Sequence, residues 1–258
     1  MRKYALLFAG CVNPQAWKKR YENDLGFMYN VLAQNNYEHI FVLYYDGRTI
    51  DYEGNSIRTL PGTKTYFQYV IDHLKKELTG MDQLFIFVSN HGTGADDTVV
   101  QTAYNLPFNE ASINCFNREG IGVNEFEREL NLIMGKKFIV LGQCHGGDFV
   151  NCNINESILM SANEAGKVSY ACYDKEYDEF LYQFTSFLNG KYPDGTALNN
   201  VTFSSDKFID AFNYAKNNNC YFIYPTRIYS DPSGNQFSMS ENPQITVNNL
   251  NNVNQFSI

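Results

Sequence analysis

Apolar positions along the chain fall into two kinds of segment, short unbroken runs and longer stretches spaced by three and four residues, and the two alternate. Tyr4-Ala5-Leu6-Leu7-Phe8-Ala9 is apolar on both faces, as a strand covered by helices on each side must be, and predicts a first strand over residues 3–10. Leu25, Met28, Tyr29 and Leu32 then recur at helical spacing, and Asn35-Asn36 closes the segment. His39 to Tyr45 reads as a second strand ended by the turn signal Asp46-Gly47, with a loop or small hairpin over 47–62. Phe67, Val70, Ile71, Leu74 and Leu78 mark an amphipathic helix from Thr63 to Leu78, stopped before Gly80. Gln83 to Ser89 predicts a third strand, followed by a hairpin expected near 98–104 and a helix over 122–134. Lys136 to Leu141 predicts a fourth strand.

This alternation implies an α/β fold with a mostly parallel sheet and right-handed crossovers. Further on, Ser157 to Ala162 reads as a strand and Val168 to Tyr173 as a shorter extended segment. A helix is expected from Glu179 to Asn189, and another, capped within Ser204-Ser205-Asp206, through about Asn217. Tyr221 to Tyr224 reads as a late edge strand. From Ser233 the chain is rich in Asn and Ser, with weak alternation at Ile245, Val247 and Leu250. The expectation is one domain over 1–232, with 233–258 as a loose arm or an edge extension of it.

Composition narrows the class. The chain has 258 residues, enough for a full-sized core, and its net charge of −8 lacks the basic footprint of a nucleic-acid binder. No apolar run is long enough to span a bilayer, and Met1-Arg2-Lys3 leads into a strand pattern with no signal-peptide h-region. Cys11, Cys115, Cys144, Cys152, Cys172 and Cys220 lack zinc-site spacing and are too dilute for a disulfide scaffold. A reduced, cytoplasmic setting is therefore expected, with no cofactor or metal.

Candidate chemistry sits where two apolar runs stop. The third strand ends at Asn90-His91-Gly92 and the fourth at Gly142-Gln143-Cys144-His145-Gly146-Gly147. Ligands of open α/β sheets bind beyond the carboxyl ends of the strands, so both ends can face one cleft. A cysteine nucleophile needs a base, and its acyl transition state needs backbone amides unobstructed by side chains. His91 and Cys144 are thus the candidate dyad, with the amides of Gly92 and Cys144 as the candidate oxyanion hole. His145 reads as a structural or cleft-wall residue, Asp148 as a helix N-terminal acid, and Asp96 and Asp97 as solvated loop acids.

Strand-His-Gly followed about 50 residues later by strand-Cys resembles the caspase-like clan of cysteine peptidases. The stretch Met160-Ser161-Ala162-Asn163-Glu164-Ala165-Gly166-Lys167-Val168-Ser169-Tyr170-Ala171-Cys172-Tyr173 is similar to a legumain segment ending in Ser-Ser-Tyr-Ala-Cys-Tyr. The resemblance covers roughly residues 3–190 and implies a caspase-like three-layer α/β/α sandwich. It also implies a substrate site containing Arg20, Gly142, Gln143, Ser169, Tyr170 and Gln183, with Arg20 in the pocket for the P1 side chain. Legumains carry acids two residues before the nucleophile and in the loop after the Tyr-Ala-Cys segment; the chain has Gly142 and, in the alignment used, Gln183 there. A shift of a few residues would bring in Asp174, Asp178 or Glu179.

The expected function is a cysteine endopeptidase acting on peptide or protein substrates after Asp or Asn. The rival readings are a legumain-like transpeptidase or transamidase and a catalytically silent regulatory scaffold. With the first strand almost at the start of the sequence, no prodomain is expected, and control falls to internal cleavage, a ligand, dimerisation, or an activating or inhibitory protein partner.

Overall fold

A computed structural model describes residues 1–173, 175–198, 201, 207–225, 228–230 and 236–250. The first half runs β1 (Lys3–Ala9), α1 (Lys19–Gln34), β2 (His39–Tyr44), the hairpin β3 (Ile50–Tyr52) and β4 (Asn55–Ile57), α2 (Lys64–Glu77) and β5 (Gln83–Val88). Next come β6 (Gly92–Thr93), α3 (Thr98–Ala103), β7 (Ser112–Cys115), β8 (Glu119–Gly122), α4 (Val123–Asn131), β9 (Lys136–Leu141), α5 (Gly146–Val150) and β10 (Ser157–Ser161). The remainder is α6 (Glu179–Asn189), α7 (Lys207–Asn218), α8 (Cys220–Ile223), β11 (Ile228–Ser230), β12 (Gln236–Ser238) and β13 (Gln244–Asn248).

Six strands form the central sheet in the order β13-β10-β9-β5-β1-β2. All neighbours are parallel except β13, which pairs antiparallel with β10, Ile158 facing Val247 and Met160 facing Ile245. The unbroken apolar runs follow from burial on both faces. Ala5 and Leu7 of β1, Phe85 and Phe87 of β5 and Phe138 and Val140 of β9 meet α1, α6 and α7 on one side. The intervening Leu6, Ile86 and Ile139 meet α2 and α4 on the other. Phe208 of α7 stacks on Phe138 with ring centroids 4.2 Å apart, which fixes α7 across the sheet. The result is a three-layer α/β/α sandwich around the mostly parallel sheet that the alternation implied.

Two local expectations are corrected. Residues 98–103 form α3 because Asp97 caps it, accepting from the Val100 N–H, and the hairpin lies later, at β7 and β8. Tyr221 to Tyr224 is no strand: Asn219 accepts from the amides of Tyr221 and Phe222 and starts α8 there. Val168 to Cys172 stays outside the sheet, with a single bridge between Ala171 and Asp178, in keeping with the shorter extended segment expected there. Of the described residues after 233, β12 pairs with β11 in a separate hairpin, while β13 extends the edge of the central sheet. Asp174 and the caps expected at Ser204, Ser205 and Asp206 lie outside the described residues.

Candidate active site

Reversal of strand order about β1 and β5 opens a crevice at their carboxyl ends, as in other doubly wound sheets. The loop after β1 begins with Cys11 and Val12 and continues as a 3-10 turn, Pro14–Ala16. Asn13 caps that turn by accepting from the amides of Gln15 and Ala16, 3.0 Å each. The turn presents the Ala16 carbonyl, 3.0 Å from His91 Nε2. A carbonyl oxygen can only accept, so Nε2 carries the hydrogen and Nδ1 is left with its lone pair. Asn90, just before, is buried; it accepts from the Cys11 amide at 3.0 Å and donates to the Asn114 carbonyl. His91 therefore rides on a strut joining the loop after β1 to β7.

Cys144 follows β9 and is half-buried. Gly92 and Cys144 are in backbone contact: a Cβ added to Gly92 would meet the Cys144 carbonyl oxygen at 1.9 Å. The Cys144 amide has no acceptor among the described residues. Its thiol donates to the Ser169 carbonyl at 3.7 Å, with the Ser169 hydroxyl 3.9 Å away. That hydroxyl donates to the Gly142 carbonyl at 2.6 Å, tying the two segments together. No hydrogen bond joins Cys144 to His91 among the described residues; in unliganded sites such contacts are commonly loose. Burial raises the Cys144 thiol, against the lowering effects of Ser169 and Arg20. Burial and then the Arg20 charge lower His91. Both shifts disfavour a thiolate–imidazolium pair.

Arg20 begins α1 and acts electrostatically on His91, Cys144, Asp24 and Asp178. It donates to the Tyr21 hydroxyl at 3.1 Å, while its buried Nε has no partner among the described residues. Tyr21 in turn sets its ring edge-on to His91, centroids 5.5 Å apart. The acids near Arg20 are Asp24 and Asp178, both buried. The Asp178 amide donates to Asp24 at 3.2 Å, and Asp178 caps α6 by accepting from the Leu181 amide at 3.1 Å. Burial pushes Asp178 up to about 7, against the pull of Arg20. Burial and the neighbouring Asp178 likewise raise Asp24.

The other sequence candidates divide. Ser169 and Tyr170 join the site: the Tyr170 amide donates to buried Glu241 at 2.6 Å, and Cys144 acts on the Tyr170 hydroxyl electrostatically. Gly142 is backed by Leu181, whose side chain fills the space a Cβ would need, with contacts from 2.4 Å. Gln143 is fully buried beside Gly92, and its side-chain amide has no partner among the described residues. Gln183 is not brought to Arg20. It sits on α6, donating to Glu179 at 3.3 Å and accepting from Tyr192 at 3.0 Å, because the helix starts at Asp178 and carries Gln183 more than a turn away. His145 packs on Gly94, and Asp148, in the first turn of α5 as expected, accepts from the Gly166 amide at 2.9 Å. No group of metal-ligating side chains occurs among the described residues, and no described helix is long and apolar enough to cross a membrane.

Four site residues had no sequence prediction of their own role. Ala16 acts through its carbonyl, which no side-chain pattern reveals, although Asn13-Pro14 signals the turn. Tyr21, Asp24 and Glu241 are defined only by packing between distant segments.

No protein-family model matches the chain, and no curated protein matches it in sequence. Among solved structures, it is similar to the crystal structure of protein GSU0716 from Geobacter sulfurreducens, with a TM-score of 0.60 and 13% identity over 98% of this chain and 95% of that one. The likeness is one of fold.

Proposed function

We propose that the protein is a cysteine endopeptidase of the caspase-like clan, akin to legumains, that cleaves after Asp or Asn. The observation that carries this reading is the backbone contact between Gly92 and Cys144, which joins the ends of β5 and β9 near Arg20, whose buried Nε has no hydrogen-bond partner among the described residues. Cys144 Sγ attacks the scissile carbonyl carbon while its proton passes to the free Nδ1 of His91. The oxyanion forms against the amides of Gly92 and Cys144. Collapse breaks the C–N bond, and His91 returns the proton to the leaving amine. Water, deprotonated by His91, then attacks the thioester, releasing the acid and restoring the thiol.

In the P1 pocket, Arg20 donates to a carboxylate or amide oxygen. Asp178, titrating near neutrality, accepts from an amide NH2 when charged and donates to a carboxylate when neutral. A P1-scanned fluorogenic peptide library tests the reading: turnover concentrated at Asn and Asp, and lost in Cys144→Ala with the fold intact, is the expected result. Full turnover in Cys144→Ala overturns it.

A further inference from the structure

Asn23 and Tyr177 each precede an acid of the Arg20 pocket, Asp24 and Asp178, but themselves line a separate cavity of about 490 Å3 on the outer side of the same wall. Its floor is aromatic. Tyr52 at the end of β3, Tyr177 before α6 and Tyr182 within α6 converge there, with the Tyr52 and Tyr177 hydroxyls 3.0 Å apart and the Tyr177 and Tyr182 rings 5.2 Å apart. Its rim is acidic: Glu53, Glu176 and Asp194 are exposed, against the single lysine of the lining, Lys175. Lys175 Nζ stands 5.0 Å from the Tyr182 ring centre, so the chain's own cation already uses one of these ring faces. Burial, aided by Glu53 at Tyr52 and Tyr177 and by Asp194 at Tyr182, keeps the hydroxyls protonated and the rings neutral.

Ring faces attract cations, and carboxylates at the mouth add charge complementarity while repelling acids. A planar guanidinium both stacks on tyrosine and pairs with carboxylates, which favours arginine over lysine. We propose that this cavity binds an arginine side chain of a polypeptide, as a recognition site separate from the P1 pocket. A polypeptide engaging both would carry an Asp or Asn at the scissile position and an arginine reaching round the wall. The cavity stands whether or not the chain is a peptidase.

Binding is tested with the full chain carrying Cys144→Ala, labelled with 15N and titrated with Nα-acetyl-arginine amide. Nα-acetyl-citrulline amide, of the same shape without the charge, is the control. The expected result is saturable shifts at the amides of Lys175, Glu176, Tyr177 and Asp194, with citrulline weaker by about fivefold or more. Glu53→Gln with Asp194→Asn, both at exposed positions, should weaken the arginine compound by about fivefold while leaving the remaining spectrum unchanged. Equal binding of citrulline, undiminished binding by the double variant, or no saturable shift at these four amides overturns the proposal. None of these readouts depends on hydrolysis, so failure here and failure of the peptidase reading are separately visible.

Discussion

Gly92 and Cys144 touch through their backbones, the Cα of one against the carbonyl oxygen of the other, with 1.9 Å left for any Cβ at position 92. That contact sets the spacing of the two strand ends that carry His91 and Cys144. Gly92→Ala is expected to push them apart. The loss in kcat/KM on the best P1 substrate should be about 100-fold or more, with a stability cost of about 1–3 kcal/mol measured by denaturant melting. Unchanged kcat/KM would show that the contact does not govern the dyad.

His91→Ala should lower kcat by about 100- to 10,000-fold, the range for a positioned general base, with KM little changed. Because the resting thiol is raised by burial, alkylation of Cys144 by iodoacetamide should keep accelerating as pH rises through the ordinary thiol range. A rate that levels off near neutrality, followed by intact mass, would instead reveal a preformed thiolate.

Selectivity at P1 should depend on pH through Asp178. Below its titration, near about 7, the neutral carboxyl tolerates an acidic P1 side chain beside Arg20; above it the carboxylate repels that side chain and accepts from an amide. The ratio of Asn to Asp cleavage should therefore rise with pH across neutrality. Asp178→Asn should remove the dependence, and Arg20→Gln should depress both substrates. A ratio that is flat in the native protein rules out Asp178 as the titrating group.

Stability should be greatest on the acid side. Asp24, Asp178 and Glu241 are carboxyls whose folded pKa values are raised, so each takes up a proton on folding. For a raised group the stabilisation is complete below the unfolded value, 3.8 for Asp178, and is lost as pH climbs through the folded value of about 7. Glu129, lowered to about 2 despite burial by bonds to Lys75, Arg128 and Gln68, works oppositely and loses its contribution as pH falls through that value. Between about pH 5 and about pH 8, Tm by calorimetry should fall by roughly 5–10 °C. Asp178→Asn should flatten the profile; a Tm that rises over this interval contradicts the assignment.

The sheet was legible because its strands are buried on both faces and read as unbroken apolar runs; β1, β5 and β9 fall within a residue or two of expectation. The late elements were harder. Tyr221 to Tyr224 has strand composition, but a single Asn219 side chain turns it into α8. His91 and Cys144 stood out because glycines follow them at strand ends. Asp178 was one of three acids left open by the alignment, and only the start of α6 singles it out. Gly142, an apparent departure from an acidic position, makes physical sense only once Leu181 of α6 is seen to occupy its side-chain space.

Glu241 has an order-of-assembly consequence. It receives the Tyr170 amide and, at 2.5 Å, the Asn219 side chain, while Asn242 donates to Asn163 at 2.9 Å and β13 covers the open edge of β10. On a translating ribosome, β1 through β10 emerge with His91 and Cys144 already in place in the sequence, but the strand and clamp that hold Ser169 and Tyr170 beside Cys144 come from residues 241–248. A nascent chain therefore lacks the segment that braces Ser169 and Tyr170 until residues 241–248 have been delivered, and the same dependence makes this segment the place where a cut far from Cys144 would loosen its surroundings.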